Sequence, residues 1–266
     1  MLLQVLMIRG LFGDWKQPIY ASFEVSMTKL LFAEAVNKVY DVGFEVVAAV
    51  SDCGGGNVGI WSDVNVEDKK TYIYHPQTHR KLYLFADAPH VLKLIRNWLI
   101  DTGFSLFDGT TVNHDPLWNL VAKGATEISD TFFLKEEYLT CQRGQRQNVA
   151  WAVKLLSRKC AVALQRRVGT VEAKRLADFI LTVNDWWDVM NSRCPKQSQL
   201  LKRPYGLCRS DQDEALDKIV ELMKSALPTT KSSIQVHFNF GGTTEININH
   251  ASFPISSFYS SSKRLS

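Results

Sequence analysis

The residues with the clearest potential for chemistry are two aspartates that each follow an apolar run. Asp52 comes directly after FEVVAAVS and precedes the glycines at 54–56, and Asp87 follows KLYLFA. Magnesium ions in proteins are held by one or two carboxylates together with phosphate oxygens of the substrate. Asp52 is therefore a candidate metal ligand, and the glycines would let a nucleic-acid backbone approach. A glycine turn with Asp52 as a helix cap explains the same residues, so both interpretations stay open.

Two other site types are not supported by their motifs. The stretch SDCGGGN at 51–57 lacks the Gly-Lys-Ser/Thr of a P-loop and does not meet the dinucleotide fingerprint in the right way. His75 and His79 have the HxxxH spacing, which suits zinc only on a helix, and Pro76 places them in a loop. Asp87 stands at a strand-to-helix junction, where capping of the helix is the default role.

A column of polar side chains follows one face of a predicted helix in the second half of the chain. Asn184, Asp188 and Asn191 are spaced at i, i+4 and i+7, which stacks them along the helix. A carboxylate in such a column can accept two N–H bonds from a guanine base. The alternative is a polar face that simply meets solvent.

A basic block covers residues 138–171, although the net charge of the whole chain is only +4. The block has seven basic residues and no acidic one: Arg143, Arg146, Lys154, Arg158, Lys159, Arg166 and Arg167. This local charge could face phosphates, or it could be an ordinary solvated surface.

The elements that must position these residues change character along the chain. LLQVLMIRGLF and KQPIYASFEV predict an antiparallel strand pair, KLLFAEAVNKVYDVGF predicts a helix that ends near Gly43, and FEVVAAVSD predicts a buried sheet strand. The two strand-terminal aspartates should then share one edge of an open α/β sheet, where ligands usually bind. After about Trp98 the pattern is mostly helical until SSIQVHFNF at 232–240.

Two helices are predicted in that second part. The first covers 148–164 and is amphipathic. The second begins after Thr170 as N-cap, with a buried stripe formed by Leu176, Phe179, Ile180, Val183, Trp187 and Met190.

Composition excludes some classes of protein. An apolar fraction of 45% and a charged fraction of 22% are ordinary globular values, and no run of about 18 uncharged apolar residues predicts a membrane span. The five cysteines form no CxxC pair, which suits a reducing cytosol or nucleus without structural zinc or disulfides. The serine-rich tail from about Ser252 is expected to be poorly ordered.

Several of these stretches together resemble the transposases of the P-element family, including their THAP-domain-containing vertebrate relatives. The likeness runs from about Leu3 to about Phe253 and rests on order and spacing of long motifs. Those motifs are LFGDWKQPIY, VVAAVSDCGGGN, LYLFADAPHVLKLIRNWLIDTG, VNDWWDVMNSR and PYG followed by DQDEAL.

The resemblance implies an α/β fold, namely a partial RNase H-like mixed sheet interrupted by an α-helical GTP-binding insertion domain. The domains would be a partial catalytic core at 1–97, the insertion at 98–230, and a truncated return segment with a disordered tail at 231–266. It also implies Mg²⁺ and GTP as cofactors, DNA at transposon ends as a partner, a homo-oligomer in full-length members, no membrane, and the nucleus. Two metal ions would support the DNA chemistry of such enzymes.

The resemblance also assigns roles to individual residues. Asp52 matches the family's second catalytic, metal-binding aspartate, whereas Asp87 matches a motif position that is not a metal ligand. Asp188 and Asn191 match the aspartate and asparagine that recognise guanine. Lys135 and Val149 match a lysine and a valine of the nucleotide pocket.

The departures from the family pattern set the expected activity. The first catalytic aspartate lies upstream of WKQPI in the family, and the third acid, a glutamate, lies beyond the NHAS segment at 249–252, so neither is expected here. There is also no THAP zinc module. We therefore expect a transposase fragment that neither cuts nor joins DNA by itself, or, alternatively, a domesticated non-catalytic protein that binds GTP and DNA.

Overall fold

The structure is a computed structural model that describes residues 3–53, 70–124, 134–192 and 194–228. The strands are β1 (Leu3–Arg9), β2 (Lys16–Phe23), β3 (Ala48–Ser51), β4 (Tyr72–Tyr74), β5 (Lys81–Ala86), β6 (Phe104–Ser105), β7 (Thr111–Val112) and β8 (Leu227–Pro228). The α-helices are α1 (Lys29–Asp41), α2 (Ala88–Asp101), α3 (Asp115–Gly124), α4 (Glu137–Thr140), α5 (Val149–Leu155), α6 (Arg158–Ala163), α7 (Val171–Met190) and α8 (Arg209–Ser225). Short 3₁₀ segments cover Arg143–Gln147 and Leu200–Lys202, and a π-helical turn covers Leu164–Val168.

Strands β1 and β2 form the antiparallel pair that the sequence predicts, with Leu3 opposite Phe23. Successive side chains of a strand point to opposite faces, so only one face of the pair can cover a core. Leu6 packs on a small hydrophobic core, whereas Val5 and Met7 on the other face are exposed. The hairpin therefore has one apolar face that nothing covers among the described residues.

The next sheet has the order β3-β5-β4, with β3 parallel and β4 antiparallel to β5. The predicted placement of β3 inside a sheet was wrong for the described part of the chain, where β3 is an edge strand and Val50 is exposed. The continuous apolar run misled because an apolar strand needs cover on both faces only when strands flank it on both sides. Helix α1 precedes this sheet, and its Val36 joins Leu82 and Leu84 in the small core.

Helix α2 starts where the sequence predicts a capped helix. The Asp87 carboxylate accepts a hydrogen bond from the backbone N–H of His90 at 3.0 Å, and Pro89 stands in the first turn, where a missing N–H costs nothing. Its apolar face, which includes Ile95 and Leu99, packs into the larger of two cores. Helix α2 continues across the predicted domain boundary at 97/98, and the domain limits stay a prediction.

The larger core is built by helices α2 to α8. Phe104 packs against Phe179 of α7 with ring centroids 5.0 Å apart, and α7 lies against α6 and α8. Ile180 and Leu176 of α7 are fully buried in the same cluster. This long helix is therefore the central element of the second half of the chain.

The single helix predicted over 148–164 was wrong, because the chain breaks after Leu155 into α5 and α6. Ser157 caps α6: its Oγ accepts from the N–H of Cys160 at 3.2 Å and donates to the carbonyl of Lys154 at 2.8 Å. Serine in a helix interior offers such local bonds in place of the regular ladder. The predicted apolar face survives the break, since Ala152, Leu156, Cys160 and Leu164 are all buried.

Helix α7 confirms the second predicted helix in most respects. The Thr170 hydroxyl accepts from the N–H of Ala173 at 3.2 Å, as an N-cap does. Leu176, Phe179, Ile180 and Val183 are buried as predicted, and Trp187 packs against the core. Met190 was wrong: it is exposed because it is the last helical residue, where the packed stripe ends.

A third sheet, with the order β7-β6-β8, was not predicted. Each of its strands has two residues, which is too short to show a period of two in sequence. Phe104, just after α2, pairs with Pro228, just after α8. The two ends of the helical part therefore lie side by side.

The described chain is thus a mixed α/β protein with small sheets and a large helical part. The glycine loop at 54–57, the predicted strand at 232–240 and the predicted disordered tail lie outside the described residues. Among the helices that the structure does describe, none is long and apolar enough to cross a membrane.

Candidate functional site

The two strand-terminal aspartates lie side by side, as the sequence predicts. Ser51 of β3 is in register with Ala86 of β5, and the Ser51 carbonyl accepts the backbone N–H of Asp87 at 2.8 Å. Asp52 and Asp87 therefore leave neighbouring parallel strands at one sheet edge. The Asp87 carboxylate caps α2, which confirms the default role for that residue.

The electrostatics of this edge show that the two carboxylates share one environment. Burial, followed by the negative charges of Asp52 and Asp87, raises the pKa of the Cys53 thiol to about 11. Burial and the nearby Lys93 lower the pKa of His90, and the same two carboxylates oppose that change. Cys53 is consequently a protonated, unreactive thiol at neutral pH.

The fit of this edge to magnesium is partial. Carboxylates are the donor type that Mg²⁺ prefers, and one or two are enough for one ion when phosphate oxygens complete the shell. A two-metal centre needs more acids, and no group of three His, Cys, Asp or Glu side chains able to hold a metal occurs within the ranges described. Asp52 could hold one ion together with substrate, and we derive no catalytic step from it.

The second candidate site is on α7, and it is not the solvated face that the sequence left open. Asn184 is buried, with 8% of its surface exposed, and the Asp188 side chain is 12% exposed. The Asn184 amide donates to the Asp188 carboxylate, with Nδ2 and Oδ2 3.1 Å apart. Asn191, at the end of the column, is exposed, and its N–H donates to the carbonyl of Trp187.

Asp188 lies in the wall of a cleft of about 350 Å³. The cleft is bounded by α7, α8, the start of α6 and the 3₁₀ segment Leu200–Lys202, and its lining is mostly polar. The lining residues are Arg158, Asp185, Asp188, Gln199, Leu200, Leu201, Asp211, Glu214, Ala215 and Lys218. Lys202 Nζ lies 3.6 Å from Asp188 Oδ1. The cleft thus has a carboxylate wall and a volume in the range of small-ligand pockets.

Burial raises the pKa of Asp188 above its ordinary value, and Asp185 adds to that effect. Lys202, the hydrogen bond from Asn184 and, to a lesser extent, Arg158 act in the opposite direction. A carboxylate that is partly stripped of water gains more from new hydrogen-bond donors than an exposed one does. A base edge with two N–H groups is one such source of donors.

The remaining predicted nucleotide residues lie elsewhere on the helical part. Lys135 is exposed just before α4, and Val149 is the half-buried first residue of α5, whose N-cap is Asn148. Neither residue belongs to the described lining of the cleft, and Asn191 does not either. The structure therefore brings Asp188 together with residues of α6 and α8, which the sequence did not select.

The basic block is not one continuous phosphate-facing surface. Arg146 forms an ion pair with Asp101, Arg158 pairs with Asp185, and Lys154 donates to the Tyr138 hydroxyl. Arg143, Lys159, Arg166 and Arg167 are exposed. The sequence missed these pairs because the acids lie 27 to 45 positions away from their arginines.

Comparison with known proteins places these sites in context. Residues 89–204 match the family model described as "TNP-like, GTP-binding insertion domain", a range that contains Lys135, Val149, Asp188 and Asn191. Over 230 residues the chain is 29% identical to the transposable element P transposase of Drosophila melanogaster, covering 84% of this chain and 31% of that protein. Over 209 residues it is 26% identical to the DNA transposase THAP9 of Homo sapiens, covering 71% of this chain and 22% of that protein.

A solved structure gives the same relationship. The Drosophila P element transposase strand transfer complex superposes with a TM-score of 0.79 and 25% identity, covering 97% of this chain and 55% of that one. The chain spans less than a third of the length of the two transposases it matches in sequence. Taken together, sequence, domain model and fold show that this chain is homologous to the transposases of the P-element family.

Proposed function

We propose that this chain is the GTP-binding part of a P-element-like DNA transposase, in which Asp188 recognises the guanine base. The observation that carries the proposal is a half-buried carboxylate in a cleft inside the range matched by the GTP-binding insertion model. The N1–H and the 2-amino group of guanine offer two donors in the spacing that one carboxylate accepts. Adenine presents a different donor pattern, so the site should prefer GTP over ATP.

Asn191, Lys135 and Val149 complete the proposed nucleotide site. Asn191 stands one turn after Asp188 at the open end of α7, where its amide could hydrogen-bond the base. Lys135 is exposed and carries a charge suited to phosphate. Val149 offers apolar surface at the start of α5. A bound nucleotide would have to link these elements, since none of the three lines the cleft in the part of the chain described.

The test is a titration with fluorescently labelled GTP and ATP. Asp188→Ala should weaken GTP binding roughly ten- to a hundredfold, or about 1.5–3 kcal/mol, because the buried acceptor is lost. Asp178→Ala removes an exposed carboxylate from the same helix and should leave binding unchanged. Asp188→Asn should favour xanthosine triphosphate over GTP, since xanthine carries a carbonyl where guanine has its amine. Equal GTP affinity in Asp188→Ala and wild type would refute the assignment.

We further propose that the helical part is an insertion into an RNase H-like catalytic core that contains β1 to β5. Two observations support this arrangement: the ends of the helical part are paired through Phe104 and Pro228, and β3 and β5 are parallel with Asp52 at their common edge. Asp52 would be one magnesium ligand of a DNA-cutting centre. The described residues alone do not fit a two-metal site, so the chain by itself should not cleave or join DNA.

The test of the Asp52 assignment is Mn²⁺ binding, followed by electron paramagnetic resonance with DNA that carries the transposon end. Wild type should bind one Mn²⁺ weakly, and Asp52→Asn should abolish that binding while GTP binding stays intact. Asp14→Asn, which changes an aspartate between β1 and β2, is the matched control. Unchanged Mn²⁺ binding in Asp52→Asn would remove Asp52 from the metal site.

A second candidate is a non-catalytic protein that binds GTP and DNA in the nucleus, possibly as a homo-oligomer in the family manner. It is favoured by the exposed cations of the basic block, which no acid matches in sequence between 138 and 171. DNA binding through this surface should weaken steeply with salt, because each phosphate contact releases counterions. Arg166→Gln and Lys159→Gln together should reduce the salt slope by about two.

A further inference from the structure

Asn184 connects the candidate guanine acceptor to a neighbouring helix. Its Oδ1 accepts the backbone N–H of Arg158, the first residue of α6, at 3.0 Å. Its Nδ2 donates to Asp188 Oδ2 at 3.1 Å. The side chain is buried in the middle of α7, so neither bond is open to free exchange with water.

The orientation of this amide is fixed by its partners. The Arg158 backbone can only donate, and an ionised carboxylate can only accept. Turning the amide around would place NH₂ against N–H and oxygen against carboxylate, which is unfavourable at both ends. The start of α6 therefore determines that the donor end of Asn184 points at Asp188.

We propose that Asn184 is a positioning residue for guanine recognition, holding the Asp188 carboxylate in one orientation toward the cleft. The inference rests on the proposed function of Asp188. With Oδ2 held by Asn184, the carboxylate cannot rotate freely about its terminal bond, and its second oxygen stays directed to Lys202 and the cleft. A preoriented acceptor loses less freedom when it binds a base edge.

Charged groups reach Asp188 from every element around it. Asp185 comes from α7, Arg158 from α6 and Lys202 from the 3₁₀ segment, while Asp211, Glu214 and Lys218 of α8 line the same cleft. Asn184 acts with Lys202 in favouring the ionised form, against burial. Losing the Asn184 donor should therefore move the protonation of Asp188 to higher pH.

Asn184→Asp is the decisive variant because it keeps one bond and removes the other. The new carboxylate still accepts the N–H of Arg158, but it has no donor for Asp188 and repels it. Positioning predicts that GTP affinity falls about tenfold and that binding is lost at a higher pH than in wild type. If Asn184 only anchors α6, Asn184→Asp should bind GTP like wild type. Asp178→Asn, on the exposed face of α7, is the control and should change neither property.

A comparison of GTP with inosine triphosphate separates positioning from a general charge effect. Inosine lacks the 2-amino group, so it offers one N–H to the carboxylate where guanine offers two. A misoriented Asp188 should lose the preference for GTP over inosine triphosphate, whereas added negative charge should affect both nucleotides alike. Asn184→Ala, which adds no charge, should show the same loss of preference; an unchanged preference in both variants would overturn the inference.

A nucleotide-free measurement keeps this inference distinct from the proposed function. The carboxyl carbon of Asp188 can be titrated by NMR in wild type and in Asn184→Asp, and positioning predicts a higher midpoint in the variant. If wild type fails to bind GTP, the proposed function fails, while a higher midpoint would still show that Asn184 controls Asp188. If GTP binds and both the midpoint and the affinity are unchanged in Asn184→Asp, the positioning role alone is refuted.

Discussion

The two candidate sites differ in what holds their carboxylates. At the sheet edge, Asp52 and Asp87 are placed by the ends of two paired strands, and the small core beneath them has only Met27, Val36, Leu82 and Leu84 as buried members. On α7, Asp188 is held by side chains from other elements, beside a core shared by seven helices. Backbone pairing fixes where a side chain starts, whereas side-chain contacts fix where its functional atoms point.

The surroundings of the two sites differ in the same direction. The β1–β2 hairpin exposes Leu3, Val5, Met7, Phe12 and Phe23, whereas the helical part buries most of its large apolar side chains. Burial of apolar surface is the main stabilising contribution to folding. We therefore expect the helical part to dominate stability and the sheet part to be more sensitive to association. The following predictions would break or sharpen that contrast, in order of decreasing effect.

The largest effect should come from Phe104→Ala in the helical core. Phe104 is fully buried against Phe179, so the change removes apolar contacts and leaves a cavity. We expect the free energy of unfolding to fall by about 3–5 kcal/mol in urea denaturation. Phe107→Ala is the matched control, since Phe107 is 75% exposed and the change should stay within about 0.5 kcal/mol. Similar losses in both variants would contradict the described core.

A smaller loss is expected for Arg96→Met. Arg96 is fully buried, donates to the carbonyl of Arg146 at 2.7 Å and to Asn97 Oδ1 at 2.8 Å, and contacts Cys141 Sγ. Losing these charge-assisted bonds should cost about 1.5–3 kcal/mol of unfolding free energy, measured by urea denaturation. Arg166→Met, which changes an exposed arginine, should have little effect. An equal effect of the two would show that Arg96 does not tie the 3₁₀ segment at Arg143–Gln147 to α2.

The pH dependence of stability should identify Asp188 as a strained carboxylate. Its pKa is raised in the folded protein, so the folded state holds the proton more tightly than the unfolded chain. The contribution of this residue to stability is therefore largest at low pH and falls as pH rises through the unfolded and then the folded pKa. Asn does not titrate, so Asp188→Asn should gain stability relative to wild type between about pH 4 and about pH 7. A constant difference across that range would contradict the raised pKa.

The smallest effect on stability is expected in the hairpin. Val5 and Met7 are 42% and 56% exposed, so Val5→Thr with Met7→Thr should change the unfolding free energy by less than about 0.5 kcal/mol. The same change should raise the soluble monomer fraction in sedimentation velocity, because exposed apolar patches promote association. Leu82→Thr, a buried change in the neighbouring sheet, should instead destabilise the protein. No gain in monomer would mean that another surface drives association.

Local chemistry explains which predictions succeeded. The caps at Thr170 and Asp87 need only a side-chain oxygen and a nearby N–H, so a few residues of sequence were sufficient. The break at Ser157 was missed because the apolar period continues through it, and the period was taken as proof of an unbroken helix. The strands β6 and β8 were missed because pairing across more than 100 residues leaves no local signal.

The sequence by itself determined the elements, the neighbouring aspartates at the sheet edge and the selection of Asp188 from its helical column. It left the surroundings of Asp188 open, and only the tertiary structure decided that Arg158 and Lys202 flank it and that Asn184 is buried. The physical reason is distance along the chain. Helical spacing is a local property that any reader can count, whereas the packing of α6, α8 and the 3₁₀ segment around α7 depends on the whole core.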